Sequence, residues 1–406
     1  MGAVLSPSAR AIAFYLPQFH PIPENDLWWG EGFTEWTNVR QATPLFTGHY
    51  QPRIPTELGY YDLRSSETRE AQAELARAHG VEGFCYWHYW FASRRLLERP
   101  FNAVLKSGKP DFPFCLAWAN HSWTASWVGR PWERLIDQTY PGRADYVSHF
   151  RAVQDAFADD RYITVDGKPV FLVFRPDKMA EPHEFTDCWR ELAFEAGFKG
   201  LYLLGIMNAD ADPKILGLDG GVHKGLGHLL SFLPATLQRK AEARRRVQVL
   251  LERPGLTAIH QAIAHARRPA WPGPLDAWHD EASEQVLLPA VCAYEDMINA
   301  ASRRLSLSND HFPCVVPNWD NTPRVGRWGW VLQDSSPELF AQHLRHALQL
   351  IEDRPFQKRL VFLKSWNEWA EGNHLEPDQR YGRGYLEATR RVLTQCPADP
   401  LRHGRA

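Results

Sequence analysis

The 406-residue chain has almost no excess charge: 46 Lys and Arg face 48 Asp and Glu, a formal net charge of −2. That balance gives no electrostatic case for nucleic acid or an anionic membrane as principal partner. No apolar run approaches the roughly 20 residues needed to span a bilayer. Residues 1–10 carry neither a basic leader nor an apolar segment, which predicts a cytoplasmic protein without a secretory signal. The six cysteines, Cys85, Cys115, Cys188, Cys292, Cys314 and Cys396, stand singly, with no C-x-x-C and no zinc-ligand spacing. Free thiols in a reducing compartment are the expectation. No glycine-rich phosphate loop follows any apolar run, which argues against a doubly wound nucleotide-binding sheet.

Aromatic residues are what the chain has in plenty: 17 Trp, 13 Tyr and 21 Phe, beside 17 His. Leu and Val suffice to fill a core, so this surplus of indole points to stacking surfaces. The most informative run is Lys364-Ser365-Trp366-Asn367-Glu368-Trp369-Ala370-Glu371-Gly372, which follows the apolar segment Leu360–Leu363. Two carboxylates held close cannot both ionise freely, so one stays a base and the other holds a proton. Glycosidic cleavage needs that division of labour, and indole faces suit the apolar faces of sugar rings. A surface turn with two solvated glutamates would look the same in isolation. The rest of the chain has to decide.

Apolar strand candidates alternate with amphipathic helix candidates along the chain. Strands are expected at 11–15, 81–87, 112–118, 170–174, 200–205, weakly at 217–222, then at 314–317 and 360–365. Helices are expected at 66–79, 144–158, 182–196 and 337–352. Eight short buried strands, most followed by a helix, predict an α/β fold of the (β/α)8 TIM-barrel type. One domain over residues 1–406 is expected, with an insertion after the sixth strand at about 223–290. That insertion would include an Arg-rich helix near 239–253 and a Pro/Trp-rich loop near 269–278.

Chemistry in such barrels sits past the C-terminal ends of the strands. There the sequence places Tyr15, Trp28, Trp87, His88, Asn120, His121, Asn318, Trp319 and Asp320, together with the glutamate run. Each of these is individually as compatible with a structural role as with sugar binding. Their joint delivery to one rim by several segments is the signal. His88 and His121 lie on separate strands and no H-x-x-x-H helix accompanies them, so no metal and no cofactor is expected.

The segments Tyr15–Pro21, Gly32-Phe33-Thr34-Glu35-Trp36, Tyr86–Phe91, Trp118-Ala119-Asn120 and Trp366–Gly372 resemble the WbsX-type family of polysaccharide gene clusters. That family is similar in turn to glycoside hydrolase family ninety-nine, the endo-α-mannosidases and endo-α-mannanases. The resemblance runs from about residue 11 to residue 390. It implies a (β/α)8 barrel, a carbohydrate substrate and no metal. It also implies roles: Glu368 would deprotonate the sugar 2-hydroxyl, which attacks C1, and Glu371 would act as general acid/base, with retention of configuration. Trp366 and Trp369 flank the pair, one expected against the sugar and one in the loop's packing, and Asn367 is counted among the substrate-binding residues. Glu376 is expected to fix loop geometry, and Glu35 to be structural. The run Asp219–Gly225 departs from the family's pattern. Two other readings stay open. One is a glycosyltransferase, for which Asp210-Ala211-Asp212 is a weak metal-pair match; the other is a non-catalytic glycan-binding barrel.

Overall fold

A computed structural model describes residues 7–125, 130–233 and 289–394. Its centre is a parallel sheet of eight strands: β1 Arg10–Tyr15, β2 Val81–Phe91, β3 Phe114–Trp118, β4 Lys168–Val173, β5 Tyr202–Met207, β6 Gly220–His223, β7 as two pieces, His311–Phe312 and Cys314–Val315, and β8 Leu360–Leu363. These are near-continuous apolar runs because both faces of a parallel sheet are covered, so no polar alternation is needed. β1 pairs with β8 on one side and β2 on the other, and pairing then proceeds in chain order to β6.

The circuit closes at β7. Gly221 and Val222 of β6 pair with His311 and Phe312, while Cys314 and Val315 pair with Phe362 and Leu363 of β8. Between the two pieces stands Pro313, which has no N–H to give to a ladder. Its carbonyl still accepts from Phe362 N at 2.9 Å. The strand therefore changes partner at the proline, and the barrel is shut there. A (β/α)8 barrel is the observed architecture.

The expected run at 217–222 becomes the short β6, and its glycines have a steric reason. A Cβ on Gly220 would stand 2.5 Å from Asp310 O, and one on Gly221 2.7 Å from the His311 ring. Only glycine lets β7 approach this closely. The expected helices appear as Ser66–Ala78, Arg143–Phe157, Pro182–Glu195 and Pro337–Gln349, the first capped by Ser65, whose hydroxyl accepts from Thr68 N at 3.2 Å. Helices Arg99–Ser107, Tyr294–Arg304 and Gly384–Thr394 complete the outer layer. The interval between β6 and β7 holds the insertion. Its proposed Arg-rich helix and Pro/Trp-rich loop lie outside the described residues.

Two further pieces sit on the C-terminal rim. The long β1 loop folds into helices Pro23–Trp29 and Glu35–Gln41, and the β3 loop forms a hairpin of Trp123–Ala125 with Arg130–Ile136. Among the described residues the five cysteines Cys85, Cys115, Cys188, Cys292 and Cys314 are buried and free, and Cys396 lies outside them. No helix of the described residues is long and apolar enough to cross a membrane.

Candidate active site

The β8 loop delivers Glu368 and Glu371 to the floor of a cleft of about 250 Å³ at the C-terminal end of the barrel. Segments from several other strands and loops wall it. The β1 loop brings Gln18, Asn25 and Trp29; β2 brings Trp87 and Tyr89; the β3 loop brings His121 and Trp123. Trp87 lies face to face with Phe14 of β1, ring centroids 4.9 Å apart, and donates its indole N–H to Glu368 Oε1 at 3.0 Å. A strand-anchored indole thus fixes one oxygen of the carboxyl.

Arg324, from the loop after β7, sets the charge of the pair. Its guanidinium donates to Glu371 Oε1 at 2.5 Å and to Glu35 Oε1 at 2.7 Å. Glu35 is fully buried, and the same oxygen accepts from Ala370 N at 3.0 Å. The β1 loop and the β8 loop are therefore tied through one arginine and one carboxylate. Lys364 adds a second cation, its ammonium 5.1 Å from the Trp319 ring centre.

These charges separate the two glutamates. Burial raises the pKa of Glu368 well above the ordinary carboxylate value, and the neighbouring Glu371 charge adds to it. Burial pushes Glu371 upward too, but Arg324 and the hydrogen bond with Glu368 outweigh it and leave its pKa below the ordinary value. The two directions are opposite: burial and the neighbouring charge favour the protonated form of Glu368, and Arg324 favours the charged form of Glu371. His121 also lines the cleft but is exposed there; the protein around it, with Arg175, lowers its pKa from the usual imidazole value.

Of the residues singled out from the sequence, Trp87, His121, Glu368 and Glu371 line the cleft together. The others lie elsewhere, for reasons that can be read from their partners. Trp366 and Trp369 are 0% and 1% exposed and face the interior. Trp369 stacks on His374, ring centres 3.7 Å apart, and donates to Glu376 at 2.6 Å. Expecting one of this pair against a sugar was therefore a misreading of which way they face. Asn367 exchanges hydrogen bonds with the Leu16 backbone at 2.7 and 3.0 Å, which stitches the β8 loop to the β1 loop and leaves nothing for substrate. The Asp320 carboxylate is consumed by His49 at 2.8 Å, Gln51 at 2.7 Å and Thr322 at 2.6 Å.

Asn318 accepts from Trp319 N at 2.7 Å, and Trp319 lies under Lys364 instead of on the cleft wall. Asn120 bonds Tyr140 and both backbone groups of Arg175, holding the β3 and β4 loops together. Buried His88 meets His149, their Nε2 atoms 2.8 Å apart. Tyr15 donates to Gln72 at 2.6 Å beneath the site. Trp28 packs edge-on against Trp123 at 5.8 Å, and its neighbour Trp29 lines the cleft. Glu376 accepts from Gln72, Tyr61 and Trp369 and holds the loop, as expected of it.

Sequence reasoning missed Arg324, Lys364, Asn25, Tyr89 and Trp123 among the residues of the cleft. Lys364 opens the glutamate run and Tyr89 sits inside the β2 motif, so proximity could have found them. Arg324 carries no local signal, because its partner Glu35 is 289 positions away. Among the described residues no group of three or more His, Cys, Asp or Glu is arranged to hold a metal ion.

Solved structures with the same fold include one titled "Glycoside hydrolase-like protein" (14% identity, TM-score 0.54, covering 98% of this chain and 96% of that one). The GH99 endo-alpha-mannosidase from Bacteroides thetaiotaomicron is another (14% identity, TM-score 0.50, covering 94% and 96%). At that identity the likeness shows the barrel alone. Closer in sequence are two proteins named "Uncharacterized protein WxcX" from strains of Xanthomonas campestris pv. campestris, 35% identical over 393 residues. The match takes in 96% of this chain and 50% of theirs, so the chain spans about half the length of these relatives. The family model described as "Glycosyltransferase WbsX" matches residues 11–389, and the chain belongs to that family.

Proposed function

We propose that the chain is a retaining glycoside hydrolase acting on an α-linked oligo- or polysaccharide through Glu368 and Glu371. The observation that carries the reading is the pair itself: two carboxyls on the floor of an aromatic cleft, the pKa of one raised and of the other lowered, with cations beside them. An acid and a base a few ångströms apart are what glycosidic cleavage requires. A purely glycan-binding barrel would have no use for a buried carboxyl pair that shares one proton.

In the route that the family-ninety-nine resemblance supports, Glu368 takes the proton of the sugar 2-hydroxyl as O2 attacks C1. The bond from C1 to the leaving oxygen breaks, and Glu371 gives that oxygen its proton. Water then adds to C1 and passes a proton to Glu371; the C1–O2 bond opens and O2 recovers its proton from Glu368. Two inversions at C1 give retention.

The directions of the two pKa shifts favour the proton on the other carboxyl, Glu368. With Arg324 on Glu371, this route begins only after substrate has drawn the two apart and the shared proton has crossed from Glu368. Exchanged roles, Glu368 as acid and Glu371 as base, need no crossing, and the resting protonation favours them. Both assignments use the same two residues.

Cleavage of a panel of fluorogenic α- and β-glycosides by wild type and by Glu371→Gln tests the reading. Release of the aglycone by wild type alone supports a hydrolase. The family's description is the ground for the transferase alternative, and calorimetry with nucleotide sugars separates the two: heat of binding with no glycoside cleavage would favour the transferase. A cytoplasmic place for the protein and a mannan-like substrate belong to this proposal.

A further inference from the structure

We infer that Asn25, with Trp29 and Trp123, forms a second sugar-binding subsite beside the glutamate pair, built for a neutral pyranose that offers neighbouring hydroxyls. The inference rests on the carbohydrate reading above and adds a place within the cleft to it. Asn25 is 0% exposed, lines the cleft, and neither its amide nitrogen nor its amide oxygen has a hydrogen-bond partner. Buried side-chain amides are nearly always paired, because desolvating an unpaired donor or acceptor is costly. A carboxamide that reaches a binding cleft with both functions unused is matched by a ligand with one donor and one acceptor side by side. Adjacent sugar hydroxyls are such a ligand, since each both donates and accepts.

The helix that carries Asn25 is oriented for this. Trp29 stands four positions after Asn25, so on helix Pro23–Trp29 both fall on one side, and both line the cleft. Leu27, on another side, is 83% exposed. The helix is moored by contacts that use other residues: Glu24 pairs with Arg94, Asp26 accepts from Gly32 N at 2.9 Å, and Trp28 packs on Trp123. Nothing in this mooring needs Asn25. Trp123, in the hairpin of the β3 loop, lines the cleft and meets the Tyr89 ring edge-on at 5.1 Å. Tyr89 is near enough to Glu368 to feel its charge, so the indoles and the acid pair share one continuous wall. Stacking residues joined to a neutral amide favour a neutral sugar; the charged side chains of the cleft, Arg324, Lys364, Glu368 and Glu371, are engaged with one another.

The test uses the full chain carrying Glu368→Gln, which keeps ligand intact. Neutral gluco-, manno-, galacto- and rhamno-oligosaccharides of two to four units are titrated while the indole and side-chain amide signals are followed by ¹H–¹⁵N NMR. Expected are shifts at the Trp29 and Trp123 indoles and the Asn25 amide for at least one series, together with Trp87. Asn25→Ala should then weaken binding about tenfold or more. Asn25→Leu should abolish it while keeping or raising Tm, because an apolar side chain of similar size removes a buried unpaired amide. A fall in Tm with unchanged sugar affinity would make Asn25 a structural residue and overturn the subsite. Shifts at Trp87 with none at Trp29, Trp123 or Asn25 would overturn the subsite and leave the hydrolase reading standing. Silence at every cleft indole with all four series would overturn both.

Discussion

The loop after β8 has two sides that differ in almost every physical respect. On its inner side Trp366, Asn367, Trp369 and Glu376 are buried and held by one another, by Gln72 and Tyr61, and by the Leu16 backbone. On its cleft side Glu368 and Glu371 crowd two carboxyls together, and Arg324 and Lys364 are spent on balancing them. Adjacent residues of one motif thus do opposite work. The packed inner side, with Glu376 and Asn367 hydrogen-bonded to distant segments, fixes the backbone, and that rigidity lets the cleft side hold a charge arrangement that would relax if the loop could move.

Breaking the inner side should have the largest effect on the fold. Trp369→Ala removes a fully buried indole and its bond to Glu376, so stability should fall by about 3–5 kcal/mol. Urea unfolding of wild type and variant measures this. An unchanged midpoint would mean that the inner side is not the loop's anchor.

Next in size is a pH effect. Burial raises Glu376 to about 7, against the donors around it. Its folded pKa lies above the unfolded value, so between about pH 4.5 and pH 7 the native state binds the proton and the unfolded state does not. Stability should therefore fall as pH rises through that window, by about 3 kcal/mol for this group, and level off above it. In Glu376→Gln this component of the pH dependence should vanish, which unfolding curves at a series of pH values would reveal.

The smallest effect belongs to the seam between the sides. Trp87→Phe keeps the stacking on Phe14 but loses the N–H that holds Glu368 Oε1. A loss of about 1 kcal/mol, or some fivefold in kcat/KM, is expected with Tm nearly unchanged. A large fall in Tm would place Trp87 with the inner network instead.

The same contrast explains what the sequence could and could not reveal. β1, β4 and β5 are apolar runs bounded by turns, and each was legible within a few residues. β7 was legible only in part, because Pro313 splits it into two pieces of two residues and only the second lies in the expected run. In the site, Glu368, Glu371 and Trp87 were legible because a local motif carries them. Trp366 and Trp369 were misjudged for a related reason: a motif gives residue types, whereas the facing of an indole depends on a cavity closed by Phe84 and Trp36 from distant parts of the chain, with His374 of the same loop. Asn25 was not legible, since nothing in the sequence says that an amide is left unpaired.

The central claim is that one proton is divided between Glu368 and Glu371 for acid and base work, and leaving-group dependence tests it most directly. General-acid assistance matters most for a basic leaving group and little for an activated aryl oxygen. The measurement is kcat/KM of wild type, Glu368→Gln and Glu371→Gln on an alkyl glycoside or natural glycan and on its 2,4-dinitrophenyl counterpart. The expected result is asymmetry: one variant recovers most of its activity on the aryl substrate, and the other is slowed on both. Recovery in Glu371→Gln would mark it as the acid and require the proton to cross on binding, whereas recovery in Glu368→Gln would mean that the resting protonation is the working one. Equal losses for both variants on both substrates would contradict the division of labour.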